Sequence, residues 1–211
     1  MLIQGQVGQP TTTSIASGTN PTIRLGQLGE VIVSELHGRY YETTYRRNMY
    51  TAMLTSGTTT SAGLSTTFTG LLLHNPINST VNVVLNKVGY AFLVAFSAAA
   101  AVGLQTGQVS TALLSSLSTT NTLIRTNYVG LPNNSGQALV YSGATTASPA
   151  IQSILGAGLT GAITTTPFAM NYYDIEGSVI LPPGTWVGTY TSTASGASSM
   201  FTSFTYEEVP L

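Results

Sequence analysis

Apolar residues fall in short runs separated by hydroxyl-bearing and turn-forming residues. The runs include FTGLLLHNP at 68–76, VNVVLNKVGYAFLVAF at 81–96, GQALVYSG at 136–143, GSVILPPGTWVGTYT at 177–191 and SSMFTSFTYEEV at 198–209. Turn residues bound each run, which is the pattern of strands rather than helices. Thr, Val, Tyr and Phe suit a pleated, half-buried surface. Ser and Thr occupy the intervening positions, where the expectation is that they face solvent in place of charge.

Particular elements follow from this pattern. Ser178–Leu181 and Thr185–Thr191 are predicted to form a hairpin around Pro182-Pro183-Gly184, because Pro presets φ and Gly accepts a positive φ. In the second strand Trp186, Gly188 and Tyr190 share one face, and Val187, Thr189 and Thr191 the other. Asn75-Pro76 and Pro132-Asn133-Asn134 are further turn signals. A helix is expected over Gln108–Ser118, where Val109, Leu113, Leu114 and Leu117 have helical spacing. Residues 143–166, rich in Gly, Ala, Ser and Thr, read as a long loop. Val88–Leu104 is uncharged, but its 17 residues fall short of the roughly 20 that a spanning helix needs. No basic cluster follows it to set an orientation. It reads as a buried strand running into a small-residue turn, with no membrane partner.

Several short strands in a chain of 211 residues point to an all-β, jelly-roll-like β-sandwich with an extended N-terminal arm. Residues 1–22 are uncharged and punctuated by Gly and Pro. Such a segment holds no core of its own and would order on a neighbouring surface. The expected division is therefore an arm and docking segment over 1–55 and the sandwich over 56–211. The opening MLIQGQVGQPTTTS lacks a positive n-region and an apolar h-region, so no secretory signal is expected.

Charge changes the picture. Only 6% of residues are charged and the formal net charge is −1, against about 25% charged in a typical soluble domain. That excludes a free nucleic-acid-binding domain, which needs many cations. It also excludes charge-driven disorder and a solvated coiled coil. Near-zero net charge leaves little repulsion between molecules. Lys87 is the sole lysine, so strand edges lack their common charged guard. An assembly in which other subunits cover those edges is the expectation. There is no cysteine, hence no disulfide, thiolate nucleophile or Cys-based zinc site.

Candidate chemistry is sparse. His37 and His74 are the two histidines and lie on different segments. His74 is expected to close a strand and satisfy strand-end hydrogen bonds. Asp174 and Glu176 flank Ile175, and in an extended strand both carboxylates would share a face. Such a pair can work on glycosides or ligate calcium; a solvated strand edge or an ion pair is the simpler reading. There is no GxSxG motif. Gly156-Ala157-Gly158 lacks the strand–loop–helix frame and the lysine of a phosphate cradle. No catalytic, metal or cofactor-binding residue is assigned, and no cofactor is expected.

The dense constellation is HGRYYETTYRRNMY at 37–50, with three Arg and four Tyr. Tyr and Arg are enriched at interface hot spots, and Arg grips carboxylates bidentately. Arg39, Tyr40, Tyr41, Tyr45, Arg46 and Arg47 are the candidate partner-interface residues. The competing readings are an internal cluster that pins the arm to its own domain, and nucleic-acid contact through Arg and stacked Tyr. Glu30, Glu35 and Glu42 largely cancel the Arg charge, which counts against nucleic acid.

That segment, LLLHNPINSTVNVVLNKVGYAF and VILPPGTWVGTYTS together resemble, in layout and phrase, small virion structural proteins of tailed bacteriophages, over roughly residues 25–205. The resemblance implies a non-enzymatic, jelly-roll-like virion protein of the capsid cement or decoration type. Such proteins are homotrimers over junctions between capsid subunits. The implied partners are the chain itself and a major capsid protein or other virion protein. The implied location is the virion, after synthesis in the host bacterial cytoplasm. The alternative is a tail-associated receptor- or carbohydrate-binding module, with Tyr172, Tyr173, Trp186 and Tyr190 as candidate sugar-stacking surfaces.

Overall fold

The computed structural model of the chain describes residues 5–7, 23–25, 38–109, 114–118, 122–129, 136–158, 171–196 and 200–211. His37, the Pro132-Asn133-Asn134 turn and most of the expected arm lie outside them. The chain separates into two compact units, Met1–Arg39 and Tyr40–Leu211. In the first, β1 (Gly5–Val7) and β2 (Ile23–Leu25) pair in parallel, with Gln6 opposite Arg24.

The second unit holds one short helix, α1 (Tyr41–Tyr45), and the strands β3 (Met49–Leu54), β4 (Thr67–Asn75), β5 (Val81–Phe92), β6 (Ala100–Gln108), β7 (Ser115–Ser118), β8 (Thr122–Thr126), β9 (Leu139–Thr145), β10 (Ala150–Gly158), β11 (Asn171–Leu181), β12 (Thr185–Thr191) and β13 (Met200–Pro210). They form a six-stranded sheet, β10-β6-β12-β4-β9-β7, and a five-stranded sheet, β11-β5-β13-β3-β8. Within them lie the four-stranded sets β4-β12-β6-β10 and β3-β13-β5-β11. Successive strands of these eight step from sheet to sheet, β3 to β4, β4 to β5, β5 to β6, β10 to β11, β11 to β12 and β12 to β13. That nesting of two Greek keys is a jelly roll. The segment between β6 and β10 is an insertion: β9 and β7 extend one sheet beyond β4, and β8 extends the other beyond β3.

Two apolar clusters hold the unit together. The larger takes Tyr50, Leu85, Val88, Tyr90, Phe204 and Tyr206 from the five-stranded sheet and Leu71, Leu73, Val102, Leu104 and Val187 from the six-stranded sheet. Each such side chain contributes about 1.5–3 kcal/mol on burial. The Tyr90 hydroxyl donates to the Gly103 carbonyl at 2.7 Å and so ties the two sheets. Burial pushes that phenol far above its ordinary pKa, so it stays protonated and donating. The smaller cluster gathers Phe68, Leu72, Leu114, Tyr141, Ala144 and Trp186. Trp186 and Leu72 alternate along their strands with the inward Val187, Leu71 and Leu73, which places this cluster on the opposite face of the six-stranded sheet. A sheet buried on both faces needs near-continuous apolar strands. β4 reads LLLH for that reason and β12 is buried at six successive positions, Trp186 and Val187 serving opposite faces, whereas β13 alternates buried and half-buried positions along nearly its whole length.

Several expectations are corrected. Pro182-Pro183-Gly184 makes its turn, with Gly184 at φ +81°, but no hairpin. β11 pairs with β5, while β12 pairs with β4 and β6. The turn carries the chain across the sandwich, and β4 receives it: the Gly184 N–H donates to the Asn75 carbonyl, and the Asn75 amide donates to the Leu181 and Val81 carbonyls, all at 2.8 Å. The helix expected over Gln108–Ser118 is not formed among its described residues. Gln108 ends β6 and Ser115–Ser118 is β7, while Leu114 faces the smaller cluster. The loop expected over 143–166 contains the end of β9 and all of β10. The sandwich also begins before residue 56, because β3 lies between β13 and β8.

Hydroxyls do not simply face solvent. Thr60, Thr191 and Ser195 are buried. The Thr60 N–H donates to Ser195 Oγ at 2.9 Å, the Ser195 N–H returns a bond to Thr60 Oγ1 at 3.0 Å, and the Thr60 and Thr191 hydroxyls meet at 2.7 Å. These bonds clamp the β3–β4 connection to the end of β12. Edge strands are also guarded, though not by charge. β10 is bulged twice against β6, β11 is bulged opposite Leu85–Lys87, and β7 and β8 are short. Bulges and short edges both blunt strand-to-strand pairing.

Candidate functional site

The Tyr/Arg segment folds into α1 and its C-terminal turn. The helix has no side-chain N-cap. Its C-terminus is closed by two reversed backbone bonds, Asn48 N–H to the Thr43 carbonyl at 3.1 Å and Arg47 N–H to the Thr44 carbonyl at 2.9 Å. That is a Schellman arrangement, which usually places glycine at the left-handed position. Here the position is Arg47, at φ +66°. A non-glycine residue held there costs on the order of 1 kcal/mol or more. The turn fixes the Arg47 guanidinium 5.9 Å from the centre of the Tyr128 ring.

Around that guanidinium lies an aromatic surface. Tyr41 and Tyr45 stack with ring centres 6.0 Å apart and planes 8° apart, as residues four apart on a helix can. Tyr45 meets Tyr128 edge-on at 6.3 Å. Tyr41 is 48% exposed and Tyr45 59%. Val129 beside Tyr128 is exposed as well. Arg46 pairs with Glu42 at 2.7 Å, and both are solvent-facing; such a pair orients the side chains while adding only a few tenths of a kcal/mol. Arg46 and Glu42 line a hollow with Asn48, Glu207 and Pro210, and the outcome is a surface of three phenol rings with the Arg47 guanidinium against it. It can offer stacking area and carboxylate-binding donors together.

The other expected members divide. Tyr40 is half-buried and turned to its own sheet, its ring 5.4 Å from Lys87 Nζ. Tyr172 covers the same ammonium at 5.3 Å and Asp174 pairs with it at 3.1 Å. The Asp174 hydrogen bond raises the Lys87 pKa, so this lone lysine stays charged inside an aromatic and carboxylate cage. Arg39 is exposed and ends the first unit. Tyr50, from the same segment, is buried and stacks on Tyr206 at 5.5 Å. Thus Tyr41, Tyr45 and Arg47 are joined through Tyr128, which is an addition, Arg46 is turned to Glu42, and Tyr40 is spent internally. The partnership of Tyr128 with α1 has no linear signal. It depends on β3 pairing with β8, where Tyr50 faces Thr126.

The remaining candidates lose their chemistry. Asp174 and Glu176 do not sit on one plain extended strand: Glu176 has φ +53° and Gly177 φ +79°, which form the β11 bulge, and Asp174 is engaged by Lys87. The sugar-stacking set is split, because Trp186 and Tyr190 are buried while Tyr172 is exposed. His74 is fully buried within β4, and neither ring nitrogen has a partner among the described residues. It therefore does not satisfy strand-end hydrogen bonds, and burial lowers its pKa from 6.5 to about 4. Gly156 and its neighbours lie on β10. No group of three or more His, Asp or Glu residues among those described could hold a metal ion. No described helix is long and apolar enough to cross a membrane. Comparison with protein-family models, curated proteins and solved structures finds no match.

Proposed function

We propose that this chain is a non-enzymatic structural subunit of a bacteriophage particle, a capsid cement that docks on the assembled shell and bridges its subunits as a homotrimer. The observation that carries the reading is the exposed Tyr41–Tyr45–Tyr128 surface with Arg47 against it and the exposed Arg46 on the same short helix turn. Three large aromatic rings left in water, on a chain with so few charges, have the composition of a docking hot spot. Arg47 strengthens the argument, because a strained backbone holds its guanidinium at that surface where glycine would be easier. Jelly rolls are common in capsid and lectin domains, but fold alone assigns no role. Of the two readings, the sugar-binding module is the less favoured, since two of its four aromatics are core.

The mechanism is mass action. A subunit that binds the closed shell better than free capsid subunits stabilises the shell. Several copies linked in one oligomer multiply a modest contact. The experiment is co-sedimentation of the purified chain with shells stripped of it. Saturable binding is expected. Arg46→Ala with Arg47→Ala, and separately Tyr45→Ala, should each weaken binding by roughly 30-fold or more, the equivalent of about 2 kcal/mol at a hot spot. Binding of these variants at wild-type occupancy would refute the docking role. Stripped particles should also release their genome at a lower temperature than complete ones.

A further inference from the structure

The helix that carries Tyr41 and Tyr45 has little of its own to hold it. It is five residues long and none of them is buried; a helix so short is not stable by itself in water. Nor is it seated on the sheet along its length. A hollow of about 250 Å³ lies between it and the end of β13, with Glu42, Thr43 and Arg46 on one wall and Glu207, Val209 and Pro210 on the other. Its position therefore depends on its two ends. The C-terminal end is tied by the Arg47 turn, by the Glu208 N–H donating to the Asn48 carbonyl at 2.9 Å, and by the Arg47 guanidinium over Tyr128. The N-terminal end has no side-chain cap, and it reaches the sheet through the ring of Tyr40, 5.4 Å from Lys87 Nζ on β5. Lys87 is itself fixed. Asp174 pairs with it at 3.1 Å and the Tyr172 ring covers it at 5.3 Å, both from β11. Gly89, two residues along β5, leaves room for that ring, since a methyl group there would meet Tyr172 at 3.2 Å.

We infer that Lys87 is a positioning residue for the Tyr/Arg surface: by gripping Tyr40 it sets the N-terminal end of α1, and so the placement of the Tyr41 and Tyr45 rings beside Tyr128. Three observations select the ammonium for this task. First, Tyr40 directly precedes the helix, and its carbonyl accepts the Thr44 N–H at 2.9 Å in the first turn. Turning Tyr40 therefore turns the helix. Second, the two end contacts are of one kind with the roles exchanged. At the C-terminal end the helix turn supplies the cation and the stretch after β8 supplies the ring; at the N-terminal end the sheet supplies the cation and the chain entering the helix supplies the ring. Each cation lies within the roughly 6 Å at which it attracts an aromatic face. Third, Lys87 stands between two rings, Tyr40 and Tyr172, with a carboxylate to hold it there. An apolar side chain would also pack between them, but it would not favour their faces over their edges; a cation does. Lys87 thus acts through Tyr40. The consequence at the shell rests on the docking reading above, whereas the effect on the helix is measured in the chain alone.

The experiment combines amide hydrogen exchange of the full chain, read by NMR, with co-sedimentation on stripped shells. In Lys87→Met, which keeps the stem and removes the charge, exchange at Thr44 and Arg46, whose N–H groups donate within α1, should quicken about 5-fold, the scale of a cation–ring contact. Exchange along β5 and β13 should not change. Lys87→Arg still offers a cation to the rings and the carboxylate, and should restore slow exchange. Tyr40→Leu should quicken the same amides by a similar factor, and adding Lys87→Met to it should change them no further. Binding of Lys87→Met to shells should weaken about 3-fold, since fewer molecules hold the docking-competent placement. Exchange in α1 that Lys87→Met leaves unchanged overturns the inference. Equal quickening throughout the sandwich does so too, because Lys87 would then be a general stabiliser. Quickening in α1 with shell binding at wild-type strength overturns it as well. If the wild-type chain binds no shell, the docking reading fails, while the exchange results still decide whether Lys87 places α1.

Discussion

His74 should make the fold acid-sensitive, by roughly 3 kcal/mol between neutral pH and pH 4. The ring is fully buried on β4, opposite Trp186 of β12 and Leu139 of β9, with the Tyr141 ring 6.3 Å away. None of these neighbours can stabilise a positive charge by pairing with it. Burial lowers the pKa from 6.5 to about 4. Above pH 6.5 the imidazole is neutral in both folded and unfolded chains, and its stability contribution is fully present. As pH falls below 6.5 the unfolded chain takes up a proton that the folded chain refuses, so stability declines until about pH 4. At about 1.36 kcal/mol per pH unit the loss approaches ~3 kcal/mol. The control is His74→Leu, which removes the unpartnered nitrogens and replaces them with an apolar group, a change that can be close to neutral at pH 7.5. Urea unfolding of both proteins at pH 7.5, 6, 5 and 4 measures the difference. The native chain should lose about 3 kcal/mol more than the variant across that range. His37 and every carboxylate are common to both and cancel. Parallel stability curves would refute the argument, and so would a variant that loses more than the native chain.

Further outcomes test other parts of the structure. Arg47→Gly should raise stability by about 1 kcal/mol, because glycine accepts the left-handed φ, while weakening shell binding; thermal unfolding and co-sedimentation separate the two effects. Gly107→Ala should cost about 1–3 kcal/mol in chemical unfolding, since the new methyl would lie 2.7 Å from the Trp186 indole. Glu208→Gln should cost about 2 kcal/mol by the same assay, because the buried carboxylate accepts the Gln137 and Ala138 N–H groups at 2.8–3.0 Å. Asp174→Asn should cost about 1 kcal/mol or less by the same assay, because Asp174 itself is exposed although the Lys87 it pairs with is half-buried.

The β class was legible because strand-forming runs and turn residues alternate so regularly. The jelly-roll architecture was legible as a class but not as a strand order. Pro182-Pro183-Gly184 shows why. Local chemistry states that the chain turns there, and only the preference of β12 for β4 and β6 decides that the flanking strands part company. The misjudged stretches have a common cause. Residues 108–118 and 143–158 mix Ser, Thr, Ala and Gly with isolated Val, Leu and Ile, so their local preferences pull in different directions. Their conformation is set by pairing partners distant in sequence: β7 by β9, and β10 by β6. The Tyr/Arg segment stands out by residue type. Its division into exposed and inward members does not, since Lys87 draws Tyr40 inward and β8 delivers Tyr128.

The shortage of charge takes on a different meaning once the strands are placed. It does not leave edges undefended, because bulges on β10 and β11 and the shortness of β7 and β8 defend them. Three of the charged groups have local tasks: Glu42 holds Arg46, Asp174 holds Lys87, and Glu208 receives two backbone N–H groups. The proposed docking contact draws in part on exposed charge at Arg46 and Arg47, which is screened over about 10 Å at 0.1 M salt. On that proposal, raising sodium chloride from about 0.05 M to about 0.5 M should weaken co-sedimentation with shells, and binding that is unchanged by salt would remove the arginines from the proposed contact.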